Sequence, residues 1–313
     1  MRVAEAVPFT RFDPRWGGIA ITLGTAIPPA AVLGFADLRI TAILLAATAV
    51  ALLGLIGDMT PLPVLARLTV QSVAAGGVVL CGVQITLTGQ WPDGPVTVMW
   101  IVGVANCFSL LNSTDRLLPA VATITAVFLA GTALILEEPA VAVLLATMAC
   151  ASLGLLGVRT PMGGSGSLFV GFVLTCSAVL LIAGRGQDTI AAGLVLPALV
   201  AIADTGFAFA GTGQITDRLH RGGLATQVVV GTYGAAAAAA GLLCLIVAMG
   251  LLAPLTAAAA GTALVAVGAF LCRPRRVVPA GRPAPGQTSR LIYAGAVLQQ
   301  ARDPRRWDGE DLY

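Results

Sequence analysis

The chain has 313 residues, of which 57% are hydrophobic and 11% charged, and its formal net charge is +3. With a mean hydropathy of +0.91, this composition excludes an ordinary soluble domain, which needs far more charge on its surface. The small, dispersed excess of arginine gives no footprint for nucleic acid, and six scattered cysteines without a C-x-x-C pair or a His cluster make neither a disulfide framework nor a metal site.

Apolar runs of about 17–25 residues, the length a helix needs to cross a hydrocarbon core, predict ten spans. They fall at roughly 17–36, 40–57, 64–87, 96–112, 117–136, 140–158, 166–183, 189–210, 225–250 and 254–272. Threaded back and forth with both ends on one side, these spans leave only Arg39 and Arg185 on the far side among the eighteen basic residues. By the positive-inside rule the arginine-rich side faces the cytoplasm, so 84–95 and Glu137-Glu138 are external. The expected fold is all-α: a polytopic membrane helix bundle of about ten transmembrane helices in the cell (plasma) membrane, with both termini cytoplasmic. Residues 1–272 form the membrane domain. From Arg273 the composition turns to Arg, Pro, Gly and acids, and 273–313 is expected to be a disordered cytoplasmic tail.

Nearly every polar segment able to carry chemistry lies on the predicted cytoplasmic side. Pro14-Arg15-Trp16-Gly17-Gly18 leads into the first span and reads as an interfacial anchor followed by a close-packing glycine pair. Gly54 to Asp58 closes the second span, with Arg67 and Gln71 downstream; its acid either marks the membrane boundary or holds a cation or phosphate. At the end of the fourth span Asn106 and Ser109 are three apart, as are Asn112 and Asp115. That spacing sets a polar stripe along one helix face, and buried polar groups in a membrane must be paired, either as glue between helices or around a solvated cleft. Met162 to Ser167 offers either a phosphate-cradling nest or a plain helix entry. Asp217-Arg218-Leu219-His220-Arg221 carries the single His, a diphosphate donor or one more headgroup-facing residue.

In this order the segments resemble the polyprenyl-phosphate N-acetylhexosamine-1-phosphate transferases, the family that includes the phospho-N-acetylmuramoyl-pentapeptide transferases. The family motifs run approximately P-R-x-G-G, G-x-x-D-D with K-x-x-x-Q, N-x-x-N-x-x-D-G-x-D-G-L, M-G-D-x-G-S and a His-rich D-x-x-H-x-H-H. The resemblance covers about residues 14–250, and the span-embedded Asp204 is also family-like. It implies transfer of a sugar-1-phosphate from a UDP-N-acetylamino sugar to a polyprenyl phosphate, with release of UMP, in cell-wall or surface-glycan synthesis of a bacterium. The implied cofactor is Mg²⁺. The implied catalytic residues are Asp58 and Asp115, with Asp115 also on the metal; Asn106, Asn112, Asp217, Arg218 and His220 are the implied substrate-binding residues. The implied partners are the lipid, the nucleotide sugar and the membrane, with no nucleic acid; homodimer formation stays open.

The chain departs from the family pattern at several acids. Gly57 replaces the first acid of the Asp-Asp pair, Ser109 the second Asn, and Asn112 the first Asp of the third motif, while Ser113 and Arg116 replace its glycines. Gly164 stands where the family carries its metal-binding acid. A divergent active transferase therefore stands beside two alternatives: a catalytically impaired member that binds lipid phosphate or nucleotide sugar, and an unrelated transporter.

Overall fold

The computed structural model describes residues 14–34, 37–60, 62–112, 116–158, 162–208 and 225–271. Among these residues there are ten helices: α1 (Pro14–Leu33), α2 (Leu38–Met59), α3 (Val64–Leu80), α4 (Asp93–Leu110), α5 (Leu117–Ile135), α6 (Pro139–Val158), α7 (Gly163–Ile182), α8 (Gln187–Phe207), α9 (Thr226–Ala248) and α10 (Pro254–Leu271). Each falls on one of the ten predicted runs. Seven of them, α1, α2, α4, α5, α6, α7 and α9, are long and apolar enough to cross a membrane. The chain is an all-helical, polytopic membrane protein. The tail from 273 onward lies outside the described residues.

The third predicted span runs too far. The helix stops at Leu80, and Gly82 turns the chain with φ +89°. Hydropathy continues past this point because Val83 and Ile85 are buried, but they are buried as a tucked loop. The Ile85 N–H donates to Thr97 Oγ1 at 3.0 Å. The Asp93 carboxylate, itself buried at the start of α4, accepts from the Thr88 N–H at 3.1 Å, the Thr88 hydroxyl at 2.9 Å and the Gly89 N–H at 2.8 Å. A hydropathy profile counts apolar residues and does not register such side-chain anchors.

At the centre stands α7. Every residue from Ser165 to Ile182 is buried, and the helix packs against α1, α2, α4, α5, α6 and α8. Its small residues allow this: a Cβ on Gly166 would lie 2.9 Å from Gly18 Cα and one on Gly171 2.6 Å from the Ala105 carbonyl oxygen, so neighbouring helices close in on it. Around it α5 packs on α6 and α9, α8 on α9 and α10, and α2 on α3. The loop ends sort into two groups. Asp37, Arg39, Cys81 and Glu138 line one shared depression, and the nearby Gly184 N–H donates to Thr86 Oγ1 at 3.2 Å. The other ends, with Gly18, Asp58, Asn112 and Gly163, gather at the start of α7.

Candidate functional site

The site begins with glycines. A Cβ on Gly18 of α1 would run into the Ser165 hydroxyl and stand 2.9 Å from the Gly166 nitrogen. One on Gly54 of α2 would lie 2.6 Å from Ser165 Cα and 2.8 Å from the Gly164 carbonyl oxygen. Backbones this close admit only hydrogen at both positions, the small-residue contact by which membrane helices associate. Gly163 opens α7 with φ +58°, a left-handed conformation that favours glycine. Three motif segments that resemblance alone had grouped are therefore packed together by contact.

Asp58, the penultimate residue of α2, reaches from this crossing to the first turn of α7. Its carboxylate accepts from the Gly164 N–H at 3.0 and 2.9 Å and from the Ser165 N–H at 3.2 Å. These are the second and third amides of the helix, which have no intrahelical acceptor. In most helices the preceding residue serves them, but here that residue is Met162, which makes no side-chain cap. Asp58 supplies the missing cap from another helix, and its negative charge is also favoured by the helix dipole. The contact is tight: a Cβ on Gly164 would come within 2.5 Å of Asp58 Oδ1.

The polar stripe of α4 closes the other side. The Asn112 amide donates to the Gly163 carbonyl at 3.1 Å. Ser109 and Ser167 share a hydroxyl–hydroxyl bond of 3.1 Å, and the Ser167 hydroxyl also lies 3.1 Å from the Gly164 carbonyl, to which it donates. Asn106 turns away from this cluster toward α3, where its amide donates to Gln71 Oε1 at 2.6 Å, and it also donates to the Val102 carbonyl of its own helix at 2.7 Å. Gln71 is fully buried, and its Nε2 has no hydrogen-bond partner.

Of the expected site residues, Asp58 and Asn112 meet at the first turn of α7, while Asn106 belongs to the adjacent α3–α4 contact. Asp115, Asp217, Arg218 and His220 lie outside the described residues. Sequence reasoning passed over the Ser109–Ser167 pair and the burial of Gln71. A polar residue inside an apolar run was the signal in each case, but the partner across the helix contact is not written in the sequence. Asp204, similarly embedded, is buried in α8 and accepts from the Tyr233 hydroxyl of α9 at 2.6 Å.

The cation implied by the family fits the described residues poorly. Among them no group of three or more His, Cys, Asp or Glu side chains is placed to hold a metal ion. Magnesium asks for a near-octahedral set of oxygen ligands. At the start of α7 Asp58 brings the one described carboxylate, and both its oxygens already accept backbone N–H groups.

Comparison with known proteins places this arrangement. The model of glycosyl transferase family 4 matches residues 40–182, from α2 through α7. A Bacillus subtilis protein provisionally named an undecaprenyl-phosphate N-acetylglucosaminyl 1-phosphate transferase is 27% identical over 213 residues, covering 62% of this chain and 59% of the relative. A Streptomyces coelicolor protein provisionally named a glycosyltransferase is 33% identical over 248 residues, covering 72% of this chain and 58% of that protein. The chain thus spans less than two thirds of the length of either curated relative. The matched stretch contains the α2, α4 and α7 groups that meet around Gly163 to Ser167, and this segment of the chain is similar to glycosyl transferase family 4.

Proposed function

We propose that the protein transfers an N-acetylamino sugar-1-phosphate from a UDP-sugar to a polyprenyl phosphate at the cytoplasmic face of the cell membrane. A lipid phosphate oxygen attacks the phosphorus that bears the sugar, the bond from that phosphorus to the UMP oxygen breaks, and UMP leaves. The observation that carries this reading is the meeting of Asp58, Asn112 and the Gly163–Ser167 turn, which come from distant parts of the chain, at one helix entrance. The match of residues 40–182 to the family model and the printed name of the Bacillus subtilis relative support the same chemistry.

In this reading Asn112 and the Ser109–Ser167 pair hold the α4 and α7 walls in register. Asp115 carries the carboxylate work, and Asp217, Arg218 and His220 contact the diphosphate. Mg²⁺ is the cation the family implies, and Asp58, with both oxygens on backbone amides, does not hold it. Electrostatic positioning dominates phosphoryl transfer, so a site with fewer carboxylates is expected to turn over slowly.

Purified full-length protein, supplied with polyprenyl phosphate, Mg²⁺ and a panel of UDP-amino sugars, tests the proposal by UMP release. Donor-dependent release is expected, and Asp115→Asn should abolish it without loss of fold. A second reading, favoured by the engaged oxygens of Asp58 and the bare Gly164, is a member that binds without turning over. It expects saturable binding of UDP-sugar or lipid phosphate with no UMP from any donor. Neither release nor binding would overturn both.

A further inference from the structure

We infer that Asp58 is a positioning residue, a helix cap supplied from a distant helix, and that Gly164 lacks a side chain because this cap needs the space. The inference goes beyond the proposed reaction and holds whether or not the chain turns over.

Geometry carries it. The residue at the cap position of α7, Met162, makes no side-chain cap. Asp58 Oδ1 accepts from the Gly164 N–H and Oδ2 from both the Gly164 and Ser165 N–H groups, the two amides that a cap serves. The backbone of α2 is already pressed against this turn at Gly54, one helical turn before Asp58, so the carboxylate can turn away only by giving up these amides. Gly164 has no positive φ, so its backbone does not require glycine; what a side chain would meet there is Asp58 Oδ1 at 2.5 Å. An acid at 164, the position that the family resemblance reserves for one, is therefore incompatible with Asp58 in its present seat on steric grounds. Two carboxylates in contact would add like-charge repulsion. Where the family pattern carries acids at both positions, this chain keeps Asp58 as a lock between α2 and α7 and has no acid at 164, which leaves the start of α7 poorly fitted to a cation.

The lock makes an unusual expectation for Gly164→Ala. Alanine has the higher helix propensity and would ordinarily stabilise a helix at this position. Here it should lower the thermal midpoint of the full-length, detergent-solubilised protein by about 2–4 °C. In an Asp58→Ala background the same substitution should be neutral or stabilising, because the clash is gone. Asp58→Asn keeps one acceptor oxygen and should retain most of the midpoint that Asp58→Ala loses. It also serves as the test residue if Asp58→Ala does not fold. Mn²⁺, followed by its paramagnetic resonance spectrum, should bind wild type and Asp58→Asn equally, at whatever level wild type binds it.

Three results would overturn the inference. They are a Gly164→Ala protein as stable as wild type, a Gly164→Ala cost that is unchanged when Asp58 is replaced, and Mn²⁺ binding that Asp58→Asn weakens tenfold or more while the midpoint stays put. None of these readouts depends on UMP release, so failure of the lock and failure of the proposed reaction are distinguishable.

Discussion

At the scale of single residues, the Asn106–Gln71 contact shows how a polar pair inside an apolar bundle is balanced. Asn106 is fixed by its bond to the Val102 carbonyl, which orients its amide so that Gln71 presents Oε1 and leaves Nε2 buried without a partner. Removing one member of a buried pair costs more than removing both, since the survivor keeps its desolvation penalty. Asn106→Leu should therefore destabilise the protein by about 1–3 kcal/mol, while Gln71→Leu should be close to neutral because it also removes the orphaned amide. The double variant should recover most of what Asn106→Leu loses. Thermal melts of the three proteins check this, and equal costs for the two single variants would refute it. The sequence made Asn106 legible as a polar residue in an apolar run, but spacing alone joined it to Ser109 and Asn112. Its actual partner lies on α3, and the rotation of the helix that decides this comes from packing.

At the scale of helices, two glycines of α2 separate structure from resemblance. Gly54 and Gly57 belong to one motif, yet a Cβ on Gly54 would strike α7 at 2.6 Å, whereas one on Gly57 would meet only the Leu62 side chain at 3.9 Å. Overpacking a tight contact costs about 1–3 kcal/mol. Alanine in an open helical position gains up to about 1 kcal/mol over glycine. Gly54→Ala should lower the thermal midpoint, and Gly57→Ala should leave it unchanged or raise it; the reverse order would show that α2 does not cross α7 as described. The glycine pair at the head of α1 was readable as a packing device, and Gly18 acts as one. What it packs against was not readable, because Ser165 lies far along the chain. The end of α3 was missed for a related reason: Val83 and Ile85 are as apolar as a span, and only Asp93 and Thr97 reveal that they line a folded loop.

At the scale of the whole molecule, the ten helices among the described residues were legible in their order because each apolar run has to bury its own backbone hydrogen bonds as helix. The arrangement of those helices was not, since apolar runs do not name their neighbours. The site was half legible: motif order gathered the right segments, and the helix-capping role of Asp58 needed the structure. The arginine asymmetry makes a further prediction about orientation. In a version lacking the native cysteines, single cysteines near Arg67 and Arg116 should be labelled only from the cytoplasm, and single cysteines near Arg39 and Glu138 only from outside intact cells. Labelling from outside at the Arg67 or Arg116 position would reverse the proposed face of the site.

The central place of α7 also orders events during synthesis. Helices α1 to α6 leave the ribosome before it, so they enter the membrane without the helix that most of them pack against. Until then Gly18 and Gly54 have nothing to press against, Asp58 has no amides to cap, and Asn112 has no carbonyl to meet. A nascent chain cut short before Gly163 carries most of the matched family segment and none of the assembled site. The groups that make the protein distinctive become a unit only when its seventh helix arrives.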